Sequence, residues 1–220
     1  MIWDWIPRNS DRILALTGEH AALAVIPVVV GLLLAIPLGW LARRFVVARG
    51  VLVPAASVAY TVPSLALFVV LPGILGTRIL DPINVVVALT IYTVALLVRS
   101  VADALAAVPG HVIAAATAMG FRPLRRFGFV ELPLAVPVLV AGVRVATVAN
   151  ISLVSVGALI GVGGLGELFT EGFQRDFPTE IITGITLIVV LALVADGLLL
   201  LLGRLLTPWS RVGPATGRAP

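Results

Sequence analysis

"AAATAMGFRPLRRFGFVELPLAVP", Ala114–Pro137, interrupts a chain that is otherwise almost continuously apolar. Just upstream, "VPGHVIAAATAMG" is bounded by Pro109-Gly110 and by Gly120, the start and stop punctuation of a short helix. Gly120 suits a left-handed C-terminal cap. Pro123 suits the first turn of a second short helix, which carries Arg125 and Arg126. Ala114, Ala115, Ala116 and Ala118 present little side chain, so another surface can come close to that helix. The stretch predicts a helix–turn–helix outside the lipid, with a smooth face and a basic flank, able to dock in a partner's groove. The same residues would also suit a plain surface loop whose arginines only mark membrane sidedness.

The rest of the chain belongs in lipid. Of its 220 residues 60% are hydrophobic and 12% charged, with a mean hydropathy of +1.15. A soluble domain carries about 25% charged residues, so this chain lacks the polar cover for a water-facing surface. Zero cysteines exclude a disulfide framework, a Cys-ligated zinc site and an iron–sulfur cluster. His20 and His111 stand far apart without ligand-like neighbours, so no metal site is expected. The start, "MIWDWIPRNSDRILALTGEH", has acids, a proline and no apolar core of signal length, so no cleavable signal is expected. Trp3 and Trp5 suit the headgroup zone. The net charge of +4 raises nucleic acid as a partner, but the arginines cluster at the ends of apolar runs, which argues against it.

Runs of about 20 apolar residues predict five spans, near 21–42, 51–75, 82–101, 132–160 and 181–206, in one transmembrane domain, 1–220. Pro54, Pro63 and Pro72 predict that the second span is kinked and packed inside the bundle, where neighbours satisfy the freed carbonyls. One set of loops holds Arg43, Arg44, Arg49, Arg99, Arg122, Arg125, Arg126, Arg204, Arg211 and Arg218; the other holds only Arg8, Arg12, Arg78 and Arg175. The positive-inside rule then places the first set in the cytoplasm. The N-terminus is expected outside, and the C-terminus and the loop at about 104–131 inside.

The interrupting stretch resembles the cytoplasmic signature loop of ABC-transporter permease subunits. That signature has Glu-Ala-Ala, three residues, Gly, nine residues, then an apolar residue, any residue, Leu and Pro. Ala115 and Ala116 match the alanine pair, Gly120 the glycine, and Val130, Glu131, Leu132 and Pro133 the close. The glutamate position holds Ala114, so any polar contact made there in the family is missing or supplied elsewhere. "LTGEH" (16–20), "TVPSLALF" (61–68), "LPLAVPVLVAGVRVATVAN" (132–150) and "IGVGGLGELF" (160–169) are similar to the permeases of osmoprotectant importers, which take up glycine betaine, carnitine and choline. The resemblance implies an all-α polytopic helical bundle in the cell membrane. It implies as partners two ATP-binding subunits, a second permease copy or a homologous permease, and an extracytoplasmic solute-binding protein. Since the chain ends at "PWSRVGPATGRAP", that binding protein is expected to be separate. No cofactor is expected on this chain, with ATP and Mg on the partner subunit. The coupling contacts implied are Ala115, Ala116, Met119, Gly120 and Pro133, with Arg122, Arg125 and Arg126 as a charged rim.

Polar residues in spans are costly and therefore functional candidates. Asp196 is expected to pair with Arg144 or with Arg99 at a helix interface. Thr147, Asn150 and Val154 share a helical face, and together with Ser155, Tyr60 and Tyr92 they are candidates for lining the pathway. A quaternary ammonium is held by aromatic faces; aromatics are scarce here, so discrimination is expected in the binding protein. Gly161, Gly163, Gly164 and Gly166 have no Lys to reach a phosphate and predict a tight or re-entrant turn, with a flexible loop as the alternative. Glu167, Glu171, Asp176 and Glu180 beside a single Arg would dock the binding protein, favour cations, or simply be solvated. The rivals are a permease for another small solute such as an amino acid, a secondary transporter or channel, and a membrane enzyme. The last two would need an internal repeat, a set of membrane carboxylates or a catalytic cluster, and none is evident in the sequence.

Overall fold

The computed structural model describes residues 2–211; Arg218, counted above among the inward arginines, lies outside them. Among the described residues every regular element is helical. A single turn, α1 (Trp5–Arg8), leads into α2 (Ser10–Arg44), followed by α3 (Val46–Thr61), α4 (Ser64–Leu75) and α5 (Pro82–Ala106). The interrupting stretch folds as α6 (Gly110–Ala118) and α7 (Pro123–Arg126), and a π turn, Phe127–Glu131, runs into α8 (Leu132–Gly157). Then come α9 (Glu167–Gln174) and α10 (Pro178–Leu206). Four stretches are long and apolar enough to cross a membrane: α2, α5, α8 with the turns before it, and α10. A bent pair, α3 with α4, is apolar enough to count as a fifth if the two are taken as one span.

The first span begins at Ser10 rather than Ala21. Its 35 residues make about 52 Å at 1.5 Å per residue, against a hydrocarbon layer of about 30 Å. The polar first turns, with Arg12 and Glu19, therefore stand clear of the layer. Helix α5 starts sharply because the Asp81 carboxylate accepts from the Ile83 amide at 3.0 Å and Pro82 occupies the first position.

Helices α2 and α5 form the closest pair. A Cβ on Gly31 would sit 2.5 Å from Thr93 Cγ2, and one on Gly39 2.5 Å from Val101 Cβ. These glycines are eight residues apart on one face, and small residues let membrane helices touch where lipid gives no hydrophobic incentive to associate. Helix α8 packs against both. Leu23, Phe68, Leu89 and Ile151 fill one half of the core, and Leu97, Val101, Leu105 and Leu139 the other.

The second span departs from expectation. It breaks at Val62-Pro63 with a bend of 103°; no residue of α3 is buried, so that half flanks the bundle, while α4 packs inside it through Phe68, Leu71 and Pro72. Pro63 lacks an N–H and pushes Val62 to extended backbone, ψ 130°. The carbonyls at the break are satisfied from within and from a neighbour: Thr61 Oγ1 donates to the Val58 carbonyl at 2.7 Å, and the Tyr92 hydroxyl of α5 donates to that of Val62. Helix α10 likewise leaves Leu193, Leu198 and Leu205 bare.

Candidate functional site

Helix α6 ends as its sequence demands. Gly120 is left-handed at φ +84°. The Phe121 amide bonds the Ala116 carbonyl at 3.1 Å and the Gly120 amide bonds that of Thr117 at 3.0 Å. This paired closure needs a left-handed residue, which glycine adopts without strain. Pro123 opens α7, and Pro133 lies half-buried in the first turn of α8. Ala114, Ala115, Ala118, Met119 and Gly120 are exposed, as are Leu124 and Phe129. The loop thus offers a small-residue ridge with apolar side chains beside it.

Two of the expected contact residues point elsewhere. Ala116 is buried against its own chain at 2% exposure, because it lies on the inward side of a helix only nine residues long. Arg126 is not a free rim charge. Its Nε donates to Glu131 Oε1 and its Nη1 to Thr117 Oγ1, both at 2.7 Å. Arg122 and Arg125 are exposed, and the Arg125 guanidinium lies over the rings of Phe121 and Phe129 at 5.3 and 6.0 Å.

At membrane depth Arg144 grips Asp196 in both carboxylate oxygens, Nε to Oδ1 and Nη2 to Oδ2 at 2.7 Å, tying α8 to α10. Arg99 instead lies 3.7 Å from Asp103, which Arg49 also bonds at 2.9 Å. Thr147, Asn150 and Val154 do share a face, but it turns into the protomer: they are 4%, 2% and 0% exposed. Asn150 Nδ2 donates to Thr93 Oγ1 at 2.9 Å, and Thr147 donates to the Val143 carbonyl at 2.8 Å. A buried amide is costly unless bonded, so this face became the α5–α8 contact and not an open wall. Ser155 is half-buried under the glycine turn. Tyr92 is buried, with its ring 5.7 Å from that of Tyr60 in an edge-to-face pair; only Tyr60 is exposed.

The glycine turn at the opposite end is rigid. Gly161 (φ +81°) closes α8 with the same paired pattern: the Val162 amide bonds the Gly157 carbonyl at 3.0 Å and the Gly161 amide that of Ala158 at 3.1 Å. A Cβ on Gly163 would lie 2.3 Å from Ala158 N, one on Gly164 2.8 Å from His20 N, and one on Gly166 2.8 Å from Ser155 Cα. The turn wraps onto α2, and the flexible-loop alternative falls. Below it, fully buried His20 donates from Nε2 to the Ile151 carbonyl at 2.9 Å. As a lone histidine between Glu19 and Ala21, it carried no sequence signal for this contact.

The carboxylates beyond the turn are not a free acidic face. Arg12, from the first turns of α2, pairs with Glu171 and reaches Glu180 at 3.4 Å. Arg175 pairs with Glu180 and lies 3.1 Å from Glu171. Glu180 is completely buried. The linear reading saw only Arg175 because Arg12 lies more than 150 positions away. Burial raises the Glu167 carboxyl above its ordinary range; nearby Glu19 adds to this, and Arg12 opposes it.

The described residues thus form a helical membrane bundle with a bare small-residue loop at one end and a packed glycine turn at the other. The chain belongs to the family of binding-protein-dependent transport system inner membrane components, which matches residues 27–211, and it is a multi-pass inner-membrane protein. It is 31% identical over 207 residues to a choline transport system permease protein, OpuBB, of Bacillus subtilis, covering 94% of each chain. It is 33% identical to an osmoprotectant import permease protein, OsmW, of Salmonella typhimurium, covering 91% of this chain and 94% of that one. Among solved structures, an inward-facing MetNI methionine ABC transporter has a similar fold, with a TM-score of 0.77 at 23% identity over 94% of this chain and all of that one.

Proposed function

We propose that this chain, working as a single permease domain, passes a small compatible solute with a quaternary ammonium group, such as choline, glycine betaine or carnitine, into the cell. The solute arrives from an extracytoplasmic binding protein. Two ATP-binding subunits, which carry the ATP and Mg, dock on the α6–α7 loop, and a second permease, identical or homologous, completes the pathway. The arginine-rich loops favour a cytoplasmic C-terminus and an outside N-terminus. Similarity to permeases named for choline and for osmoprotectants supports the solute class.

The observation that carries the docking role is the bare ridge of α6, held in place by the Gly120 closure. When the ATP-binding subunits close, Ala115, Ala118 and Met119 seat against them and α6 is displaced. The pathway then shifts between inward-open and outward-open, driven by the difference in binding between the two states. Arg122 and Arg125 form the charged rim. Tyr60, the exposed aromatic beside the broken span, is the candidate to meet the passing cation.

Gly120→Val tests the reading. A left-handed non-glycine residue costs about 1–2 kcal/mol, and a β-branched one fits least well. The expected result is a protein that inserts normally, fails to retain an ATP-binding subunit in a gentle-detergent pull-down, and has lost ATP-dependent choline uptake. Unchanged co-purification and uptake would sink the assignment.

A further inference from the structure

Arg126 and Glu131 are five residues apart. In a regular helix that spacing sets two side chains about 140° apart around the axis, out of reach of one another. Here they bond at 2.7 Å, and Glu131 is buried at 7% exposure. The π turn over Phe127–Glu131, closed by the Leu132 amide on the Phe127 carbonyl, makes this possible. It widens the coil so that residues five apart come over one another. Such turns are rare and cluster at functional positions.

The same guanidinium reaches the other way. Through Nη1 it donates to Thr117 Oγ1, and the Thr117 hydroxyl donates to the Ile113 carbonyl at 2.8 Å within α6. Phe127, at the start of the π turn, packs its ring 5.7 Å from that of Trp40 near the end of α2. Arg126 therefore bridges the exposed helix α6 and the buried head of α8. Its neighbour Arg125 touches only rings on the loop. A plain sidedness charge needs neither a buried carboxylate nor a second acceptor.

We propose that Arg126 is a positioning residue for transport, binding α6 through Thr117 and α8 through Glu131 so that the two move as one body. Displacement of α6 then reaches α8, and through Arg144–Asp196 reaches α10, instead of dissipating in residues 119–122 and the π turn. The inference rests on α6 being the docking helix.

The chain has no cysteine, so spin labels can be placed on a His111→Cys, Val138→Cys background, one on exposed α6 and one on exposed α8. Distances are measured in the complex with the ATP-binding subunit, with and without a non-hydrolysable ATP analogue. The parent should give one narrow distance in both states. Arg126→Ala should broaden it and lower choline uptake per ATP hydrolysed by about tenfold or more, the equivalent of one charge-assisted hydrogen bond. Thr117→Val, which removes only the α6 arm and leaves the buried pair, should do the same. Arg126→Lys, which keeps a cationic donor for both Thr117 and Glu131, should hold the distance narrower than Arg126→Ala does. Narrow distances and unchanged uptake per ATP in both Arg126→Ala and Thr117→Val overturn the proposal. If the parent fails to retain any ATP-binding subunit, the docking reading falls first, and this inference with it.

Discussion

Both ends of α8 are reached through the same local device. At one end Gly120 closes α6, and at the other Gly161 closes α8, each left-handed and each with the same two amide–carbonyl bonds. Their surroundings are opposite. A Cβ on Gly120 would meet nothing within 4 Å, whereas the residues after Gly161 are wedged against α2 and α8 with no room for a Cβ. One closure leaves a ridge bare; the other staples a turn into the bundle. The charges repeat the contrast. Arg122 and Arg125 stay exposed beside the ridge, while Arg12 and Arg175 are consumed by Glu171 and Glu180 beside the turn. An identical backbone motif thus says where a helix stops, and only its neighbours say whether the result is a contact surface or an anchor.

The largest expected effect breaks that contrast directly. Gly163→Ala puts a methyl 2.3 Å from backbone that cannot yield, and overpacking of this kind costs about 1–3 kcal/mol or more. It should lower the melting temperature of the detergent-solubilised protein. Gly120→Val should lower it less, since a Cβ there meets nothing within 4 Å and only the left-handed backbone is strained. Equal melting shifts would mean that the two closures are mechanically equivalent.

Next comes the link between the two ends. Asp196→Asn leaves Arg144 with half of its grip inside a span, where an unpaired charge is costly. Thermal stability should fall, and Arg144→Gln added to it should recover most of the loss. No recovery would show that the pair acts through something other than charge compensation.

The smallest effect concerns Glu167. Its carboxyl is raised in the folded protein, so the contribution of its protonated form is fully present below the ordinary Glu range and is lost as pH rises through the raised value. Glu167→Gln should therefore melt slightly higher than the parent at neutral pH and level with it in acid. A difference that persists in acid would rule out this cause.

Much of the α6–α7 loop was legible because its signals are local. Gly120, Pro123 and the alanine run fix helix ends and side-chain size within a few residues, and the structure places them as read. The apolar runs were legible for the same reason, since lipid thickness sets their length: four fall on helices long enough to cross a membrane and the second on the bent pair α3–α4. The Arg144–Asp196 pair was legible too, because two lone charges at span depth have few alternatives. Ala116 was misread because residues on one short helix differ in burial by which side they face, and nothing in the alanine run marks the inward side. Asn150 was misread because polarity on a helical face signals a need for a partner without saying whether that partner is Thr93 or a passing solute.

The sequence by itself determined what short-range chemistry dictates: membrane spans, helix stops, the signature loop, and the charges that must find partners. Only the tertiary structure decided which partners those were. Arg126 became a bridge because a π turn brought Glu131 within reach, and Arg12 became the counter-ion of Glu171 because the first turns of α2 extend beyond the apolar layer. The bend at Val62-Pro63 left α3 on the flank of the bundle while α4 buries Phe68 in its core, with Tyr92 of α5 bonding the Val62 carbonyl at the break. Each of these depends on distances between residues far apart in the chain or on helix geometry that no local pattern encodes.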